Sequence, residues 1–456
     1  MDVEFGTDGW RTTVEEFTTP RVRAVGQAVV DYVREEADGT PAVAVGYDPR
    51  EGSRAAAEEL ARVLCAGGVD ARLPDRDTPT PVVAWTVVDR GLAGALQVTA
   101  SHNPPSYNGV KFVPADGAPA LPAVTDRLAD SLRAPDPRPE SEWGAVTERD
   151  FLEPYLEHAL SFVDADLSGL TVAHDAMHGS GRGVTDELLA RAGADVVRLR
   201  HDRDPSFGGT PPEPSADHLG ALAARVGDDA DLGVANDGDA DRIGVVTPER
   251  GVVDPNWLFA ALYDYLLEND GGDAVRTVST TFLVDRVADA HGHAVHETPV
   301  GFKWVAEAMA DHGALVGGEE SGGFGVAGHL RNKDGVLVAL LVAAAHAAEP
   351  LDDRLDRLRA THGDIAQDRV SVDCPDDRKT AVLGALETAI PDAVAGAAVE
   401  EVGTADGFKL LLADGSWLLV RPSGTEPKLR VYAEADTDAR VEELLAAGAD
   451  LVEPLV

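Results

Sequence analysis

The feature that most constrains this chain is an internal repeat. Segments starting at Ala61 (ARVLCAGGVDARL), Leu188 (LLARAGADVVRL) and Val287 (VADAHGHAVHET) each read as an apolar-periodic helix, a glycine near its C-terminal end and an alternating strand. Each is followed by a further strand-like run and a polar loop: GALQVTASHNP from Gly94, ADLGVANDGDADR from Ala230 and GALVGGEESGG from Gly313. Helices alternating with strands predict mostly parallel sheets, and ligands of such sheets bind beyond the carboxyl ends of the strands. Three related α/β units would then present three loops to one cleft.

The C-terminal part reads differently. FKLLLADGSWLLV from Phe408 sets Asp414-Gly415 between two apolar runs, which predicts a hairpin, and an amphipathic helix follows from Asp438. The expected architecture is therefore three related α/β domains with mixed, mostly parallel sheets plus a smaller C-terminal α+β domain, four around one cleft. A chain of 456 residues has the length for that number. The expected domains are 1–145, carrying a serine loop, 146–255, carrying an acidic loop, 256–365, carrying the third loop, and 366–456. RAPDPRPESEWG from Arg133, rich in proline and charge, marks the first boundary region.

Composition excludes several roles. A formal net charge of -41 disfavours nucleic acid and anionic membranes as partners, and its spread over the whole length suits a folded protein in concentrated salt. The absence of a signal-peptide pattern and of a long apolar run leads to the expectation of a cytoplasmic protein. Cys65 and Cys374 have neither zinc-site nor disulfide-framework spacing. Of 39 basic residues only six are lysine (Lys111, Lys303, Lys333, Lys379, Lys409 and Lys428), so a lysine kept here can be one whose chemistry matters.

Ser101 follows an apolar strand, and His102, Asn103 and Pro104 force a turn there. It reads as a nucleophile or phosphate carrier, or as a capping serine; no G-x-S-x-G elbow surrounds it. Asp237, Asp239 and Asp241 alternate in NDGDADR. A hard cation relieves their repulsion, and oxygen-only ligands suit Mg²⁺ or Ca²⁺ rather than zinc. An EF-hand fails, because Arg242 and Pro248 stand at its sixth and twelfth positions. Glu319 and Ser321, set among glycines, suit sugar hydroxyls. Arg421, Ser423, Gly424, Thr425 and Arg430 in RPSGTEPKLR suit a phosphate, without the lysine placement of a P-loop.

Taken in order, FGTDGWR from Phe5, TASHNP, NGVK from Asn108, DGDADR, GEESGG and RPSGTEP resemble the α-D-phosphohexomutase superfamily over essentially the full length. The resemblance implies an isomerase of the phosphoglucomutase/phosphomannomutase type acting on small hexose phosphates, as a monomer or homodimer. It implies a phosphoserine at Ser101, Mg²⁺ held by Ser101 and the three aspartates, and a hexose 1,6-bisphosphate as intermediate and activator. Arg11 and Lys111 match groups beside the transferred phosphoryl group, and His102, next to Ser101, is a further catalytic candidate. Glu319 and Ser321 match the sugar-recognition loop, Lys303 a ligand-contacting lysine, and Arg421, Ser423, Gly424 and Thr425 the distal phosphate site; Arg242 and Arg430 are further substrate-binding candidates. The loop variant GEESGG favours glucose; mannose and glucosamine phosphates are the alternatives, followed by a phosphatase or a non-catalytic binding protein. Two departures stand out. Gly323 replaces a histidine common in the sugar loop, and Asp8 and Thr12 replace serine and glycine in the opening motif. Neither is expected to touch the nucleophile or the metal loop.

Overall fold

A computed structural model of the chain describes all residues except 1, 2, 4, 7, 8, 37, 38 and 425. Four sheets of seven, five, four and six strands follow one another along the sequence. The repeat seen in the sequence is a repeat of structure. Helices Ser53–Ala66, Thr185–Arg191 and Leu283–His291 lead into strands Asp70–Leu73, Asp195–Leu199 and Val295–Thr298. The chain reverses through Gly68, Gly193 and Gly292, all with positive φ, a conformation that side-chain-bearing residues adopt at a cost.

Each unit has the same parallel centre. Ala42–Tyr47 lies between Asp70–Leu73 and Gly94–Val98. Thr171–Asp175 lies between Asp195–Leu199 and Leu232–Asn236, and Ala274–Thr277 between Val295–Thr298 and Val316–Glu319. The last strand of each trio then enters the polar loop and returns antiparallel, as Tyr107–Pro114, Ile243–Thr247 or Gly323–Val326. All three loops are thus turns between an inner and an antiparallel strand, tied to the sheet at both ends. After the proline-rich stretch, Val146–Glu148 adds in parallel to Asp70–Leu73, so these residues belong to the first sheet.

The fourth sheet is antiparallel throughout. Phe408–Leu412 and Trp417–Pro422 form the hairpin around Asp414-Gly415, and helix Asp438–Val452 covers the sheet after Thr437, whose hydroxyl accepts from the Arg440 amide.

A large core joins the second and third units to one face of the first, which contributes Val82, Val83, Trp85 and Val87; Tyr155, Leu188, Phe259 and Leu337 lie in it. Its central helix, Gly335–Ala348, is buried from Gly335 to Ala345, where each enclosed Val or Leu contributes about 1.5–3 kcal/mol. Asp334 caps it by accepting from the amides of Val336 and Leu337. Among the described residues no single helix is long and apolar enough to cross a membrane.

Candidate active site

Ser101 is fully buried and has a φ of 51°, in the left-handed region. That conformation costs a residue with a Cβ about 1–2 kcal/mol, and two neighbours hold it. The Ser101 amide donates to Thr99 Oγ1 at 2.8 Å, and Thr99 Oγ1 donates to Asp48 at 2.7 Å. Arg50 donates to the carbonyls of Ser101 (2.6 Å), Asn103 (2.7 Å), Pro104 (2.7 Å) and Tyr107 (3.1 Å), and its Nε donates to Asp48 at 2.9 Å. Four of the five N–H donors of this buried guanidinium fix the serine loop, and the fifth, on Nε, is taken by Asp48. Sequence reasoning missed this pair; the only signal was Asp-x-Arg directly after the apolar strand Ala42–Tyr47.

The Ser101 hydroxyl donates to Asp237 Oδ2 at 2.6 Å and lies 3.4 Å from His102 Nδ1. The approach of the acidic loop needs Gly238, because a Cβ there would stand 2.6 Å from the Ser101 carbonyl oxygen. Asp237, Asp239 and Asp241 offer oxygens within 4.8 Å of one another. Lys111 reaches Asp239 and Asp241, each at 3.0 Å, Lys333 reaches Asp241 at 3.1 Å, and Thr80 donates to Asp239 at 2.5 Å. Burial and the two neighbouring carboxylates push Asp237 well above the usual carboxylate range. Burial works against the charge of Asp239 too, but Lys111 and the Thr80 hydroxyl outweigh it and hold that carboxyl low. Asp239 Oδ1 and Asp241 Oδ1 remain buried without a hydrogen-bond partner. A buried carboxylate oxygen with nothing to accept from is costly, so this all-oxygen trio fits a hard divalent cation.

Around it, Arg11 donates to the side chain of Asn103 at 3.1 Å. The cations Arg242, Arg11 and Lys333, together with burial, push His102 well below its ordinary range. Its ring is therefore neutral near pH 7. The Arg242 amide donates to Asp237 Oδ1 at 3.1 Å. Thr12 turns its hydroxyl to Glu16 at 2.8 Å, and Asp8 lies outside the described residues.

In the third loop, Glu320 is held by the hydroxyls of Ser279 (2.7 Å), Thr280 (3.1 Å) and Thr277 (3.3 Å). Buried Glu319 accepts from the Gly301 amide at 3.1 Å, and burial raises its pKa to about 7. The neighbouring amide, Val300, donates to Asp406 at 3.2 Å, and Asp406 accepts from Arg421 at 2.8 Å. One turn thus joins the third loop to the loop of the fourth unit. Lys303 sits in the first turn of the next helix, Phe302–His312, its Nζ 5.5 Å from the Trp304 ring centre. Arg430 pairs across the strands with Arg421 and donates to Glu426 at 2.8 Å. The Ser423 amide donates to the Lys428 carbonyl at 2.9 Å, and Thr425 lies outside the described residues. Ser321 is half-buried in the third loop.

Gly323 requires a correction. A Cβ there would lie 2.4 Å from Lys333 Cδ. The missing side chain makes room for Lys333, whose ammonium ends on Asp241, so this departure does reach the metal loop.

The comparisons agree with this construction. Models of the phosphoglucomutase/phosphomannomutase family match as alpha/beta/alpha domain I over residues 2–138, domain II over 153–251, domain III over 254–361 and the C-terminal domain over 370–451. A Methanopyrus kandleri protein named "Probable phosphoglucosamine mutase" is 33% identical over 99% of this chain and 98% of its own. A Thermococcus kodakarensis phosphoglucomutase/phosphomannomutase is 30% identical over 98% of each. The crystal structure of a Thermus thermophilus protein described as a "putative phosphomannomutase" superposes with a TM-score of 0.86 at 33% identity, over 99% of both chains. The chain belongs to the phosphoglucomutase/phosphomannomutase family of the α-D-phosphohexomutase superfamily, whose members are phosphotransferring isomerases.

Proposed function

We propose that this protein interconverts hexose 1-phosphate and hexose 6-phosphate, with glucose preferred, through a phosphoserine at position 101. One observation carries the reading: the Ser101 hydroxyl donates to Asp237 at 2.6 Å inside a trio of buried aspartates, two of whose oxygens have no hydrogen-bond partner. Magnesium, when bound by Asp237, Asp239 and Asp241, supplies positive charge beside the serine oxygen. Arg11 and Lys111 stabilise the charge that spreads over a phosphoryl group in transfer. The sugar hydroxyl gains the P–O bond that Ser101 loses, and the resulting 1,6-bisphosphate turns end for end to return its other phosphoryl group.

Glu319, whose pKa burial raises to about 7, can in its protonated form accept from one sugar hydroxyl and donate to another, which suits two substrate orientations. Ser321, Lys303 and Arg242 line the sugar-phosphate site in this reading, His102 keeps a neutral ring beside Ser101, and Arg421, Ser423, Gly424, Thr425 and Arg430 hold the distal phosphate. The charge of -41 fits a cytoplasmic enzyme working in concentrated salt. A second reading, glucosamine phosphate as substrate, is favoured by the name of the Methanopyrus kandleri relative.

A coupled assay tests both, at high salt with Mg²⁺, using glucose, mannose and glucosamine 1-phosphates, each with a trace of its 1,6-bisphosphate. The expected result is formation of 6-phosphate without release of inorganic phosphate, fastest with glucose, and its loss in Ser101→Ala. Faster turnover of glucosamine phosphate would transfer the assignment to the second reading. Release of phosphate would identify a phosphatase, silence on all three sugars a binding protein, and substantial turnover by Ser101→Ala would remove the phosphoserine.

A further inference from the structure

A second group of metal-ligating side chains lies in the second unit, outside the aspartate trio. His174 is in the strand Thr171–Asp175, Asp186 in the first turn of helix Thr185–Arg191, and His201 just beyond the strand Asp195–Leu199. Each offers one donor atom, all within 4.8 Å of one another. His174 is fully buried, Asp186 is buried, and His201 is partly exposed, with 17% of its side chain open.

The hydrogen bonds settle which atoms are available. Asn236 uses its amide nitrogen on the carbonyls of Arg242 and Gly335, each at 3.0 Å, so its Oδ1 faces His174 Nε2 at 3.2 Å. That oxygen also accepts from Thr185 at 2.7 Å. Nε2 of His174 must therefore carry the proton, and its Nδ1 lone pair points at His201, whose Nε2 is 3.1 Å away. Asp186 is fixed by the Gly183 amide on Oδ1 and by Arg198 on Oδ2, each at 2.6 Å, and Oδ1 stands 3.8 Å from His201 Nδ1, too far for a hydrogen bond.

We propose that His174 Nδ1, one imidazole nitrogen of His201 and Asp186 Oδ1 form a binding site for a borderline divalent transition metal such as zinc. A tetrahedral ion with bonds of about 2.1 Å spreads its ligands by about 3.4 Å; His201 Nε2 stands 3.1 Å from His174 Nδ1, and the other nitrogen of the same ring, Nδ1, stands 3.8 Å from Asp186 Oδ1. A turn of the partly exposed His201 ring brings one nitrogen to serve both neighbours. The supporting layer is of the kind that accompanies metal ligands: the far nitrogen of His174 donates to a carbonyl oxygen, and the far oxygen of Asp186 accepts from an arginine. Imidazole nitrogens favour zinc, cobalt or nickel over magnesium. Burial and His201 pull His174 down to about 4, which leaves its lone pair available at neutral pH. Solvent reaches the site past His201, and three protein ligands leave a fourth position for water. Asn236, which orients His174, directly precedes Asp237, so an ion here would brace the base of the acidic loop.

The test uses Co²⁺ as probe on the full-length protein in excess Mg²⁺, which favours the all-oxygen trio. The expected result is one equivalent of Co²⁺ with visible bands of a nitrogen-ligated ion, displaced by Zn²⁺, lost in His201→Ala and retained in Asp239→Asn. Because His201 is partly exposed, His201→Ala should fold, and an unchanged circular dichroism spectrum checks this. Absence of the bands in the unaltered protein, their survival in His201→Ala, or their loss in Asp239→Asn would each overturn the site.

Discussion

Arg50 offers a sharp test of how the serine loop is held. Arg50→Met keeps an unbranched apolar stem and removes all five donors. Asp48 is then left buried without its cation, and four loop carbonyls lose their partner. Breaking a buried ion pair from one side costs about 3–5 kcal/mol. At about 1.4 kcal/mol per tenfold, opening of the loop becomes roughly a hundred- to several-thousand-fold more frequent. Hydrogen–deuterium exchange reads this directly at the amides of Asn103 and Tyr107, which donate to Ala100 and Pro104. Exchange in the antiparallel strands Trp417–Pro422 and Lys428–Ala435 should not change, which separates local opening from global unfolding. Arg50→Lys should recover only part of the protection, since an ammonium has three donors and no planar fork. Asp48→Asn combined with Arg50→Met should lose less than the sum of the two single changes. A fall in protection below about tenfold in Arg50→Met would refute the assignment of the loop's rigidity to this residue.

Three further outcomes are expected. Glu319 has a folded pKa near 7 against 4.5, so its contribution to stability is present below about pH 4.5 and is lost as pH rises through 7, by about 3 kcal/mol at 1.36 kcal/mol per unit; relative to Glu319→Gln, the unaltered protein should lose urea resistance from pH 5 to 8, and a constant gap would contradict the burial argument. Asp239→Asn should raise the half-saturating Mg²⁺ for turnover by more than the roughly 10–100-fold typical of outer-layer changes, and an unchanged midpoint would remove Asp239 from the metal site. The melting temperature should climb with KCl from 0.15 to 1 M, where the screening length falls from about 8 to about 3 Å; a flat response would mean that repulsion among surface carboxylates does not govern stability.

Much of this was legible because it was local. The helix, glycine, strand repeat lies within a dozen residues each time, and Ser101 and the three aspartates announce themselves within short loops. Strand direction after each loop was not readable, since a strand-like run such as Tyr107–Pro114 looks the same whichever way it pairs. Asp48 and Arg50 were missed because their partners lie some fifty residues on, and a common Asp-x-Arg gives no hint of them. Thr80 and Lys333 reach the aspartates from other units, through packing that no local pattern encodes. The stretch after Arg133 read as a boundary, yet Val146–Glu148 returns to the first sheet because the edge of Asp70–Leu73 offers open backbone groups.

Gly323 and Lys333 occupy one volume between them. A side chain at position 323 takes the space through which the Lys333 methylenes pass, so the two positions constitute a steric either/or. Placing a histidine at 323 alone would displace the ammonium from Asp241 rather than add a donor, and the exchange becomes compatible only when residue 333 is shortened as well. Across the family, bulk at one position should therefore accompany a short residue at the other, and a designer who wishes to retune the sugar loop has to treat them as a single site.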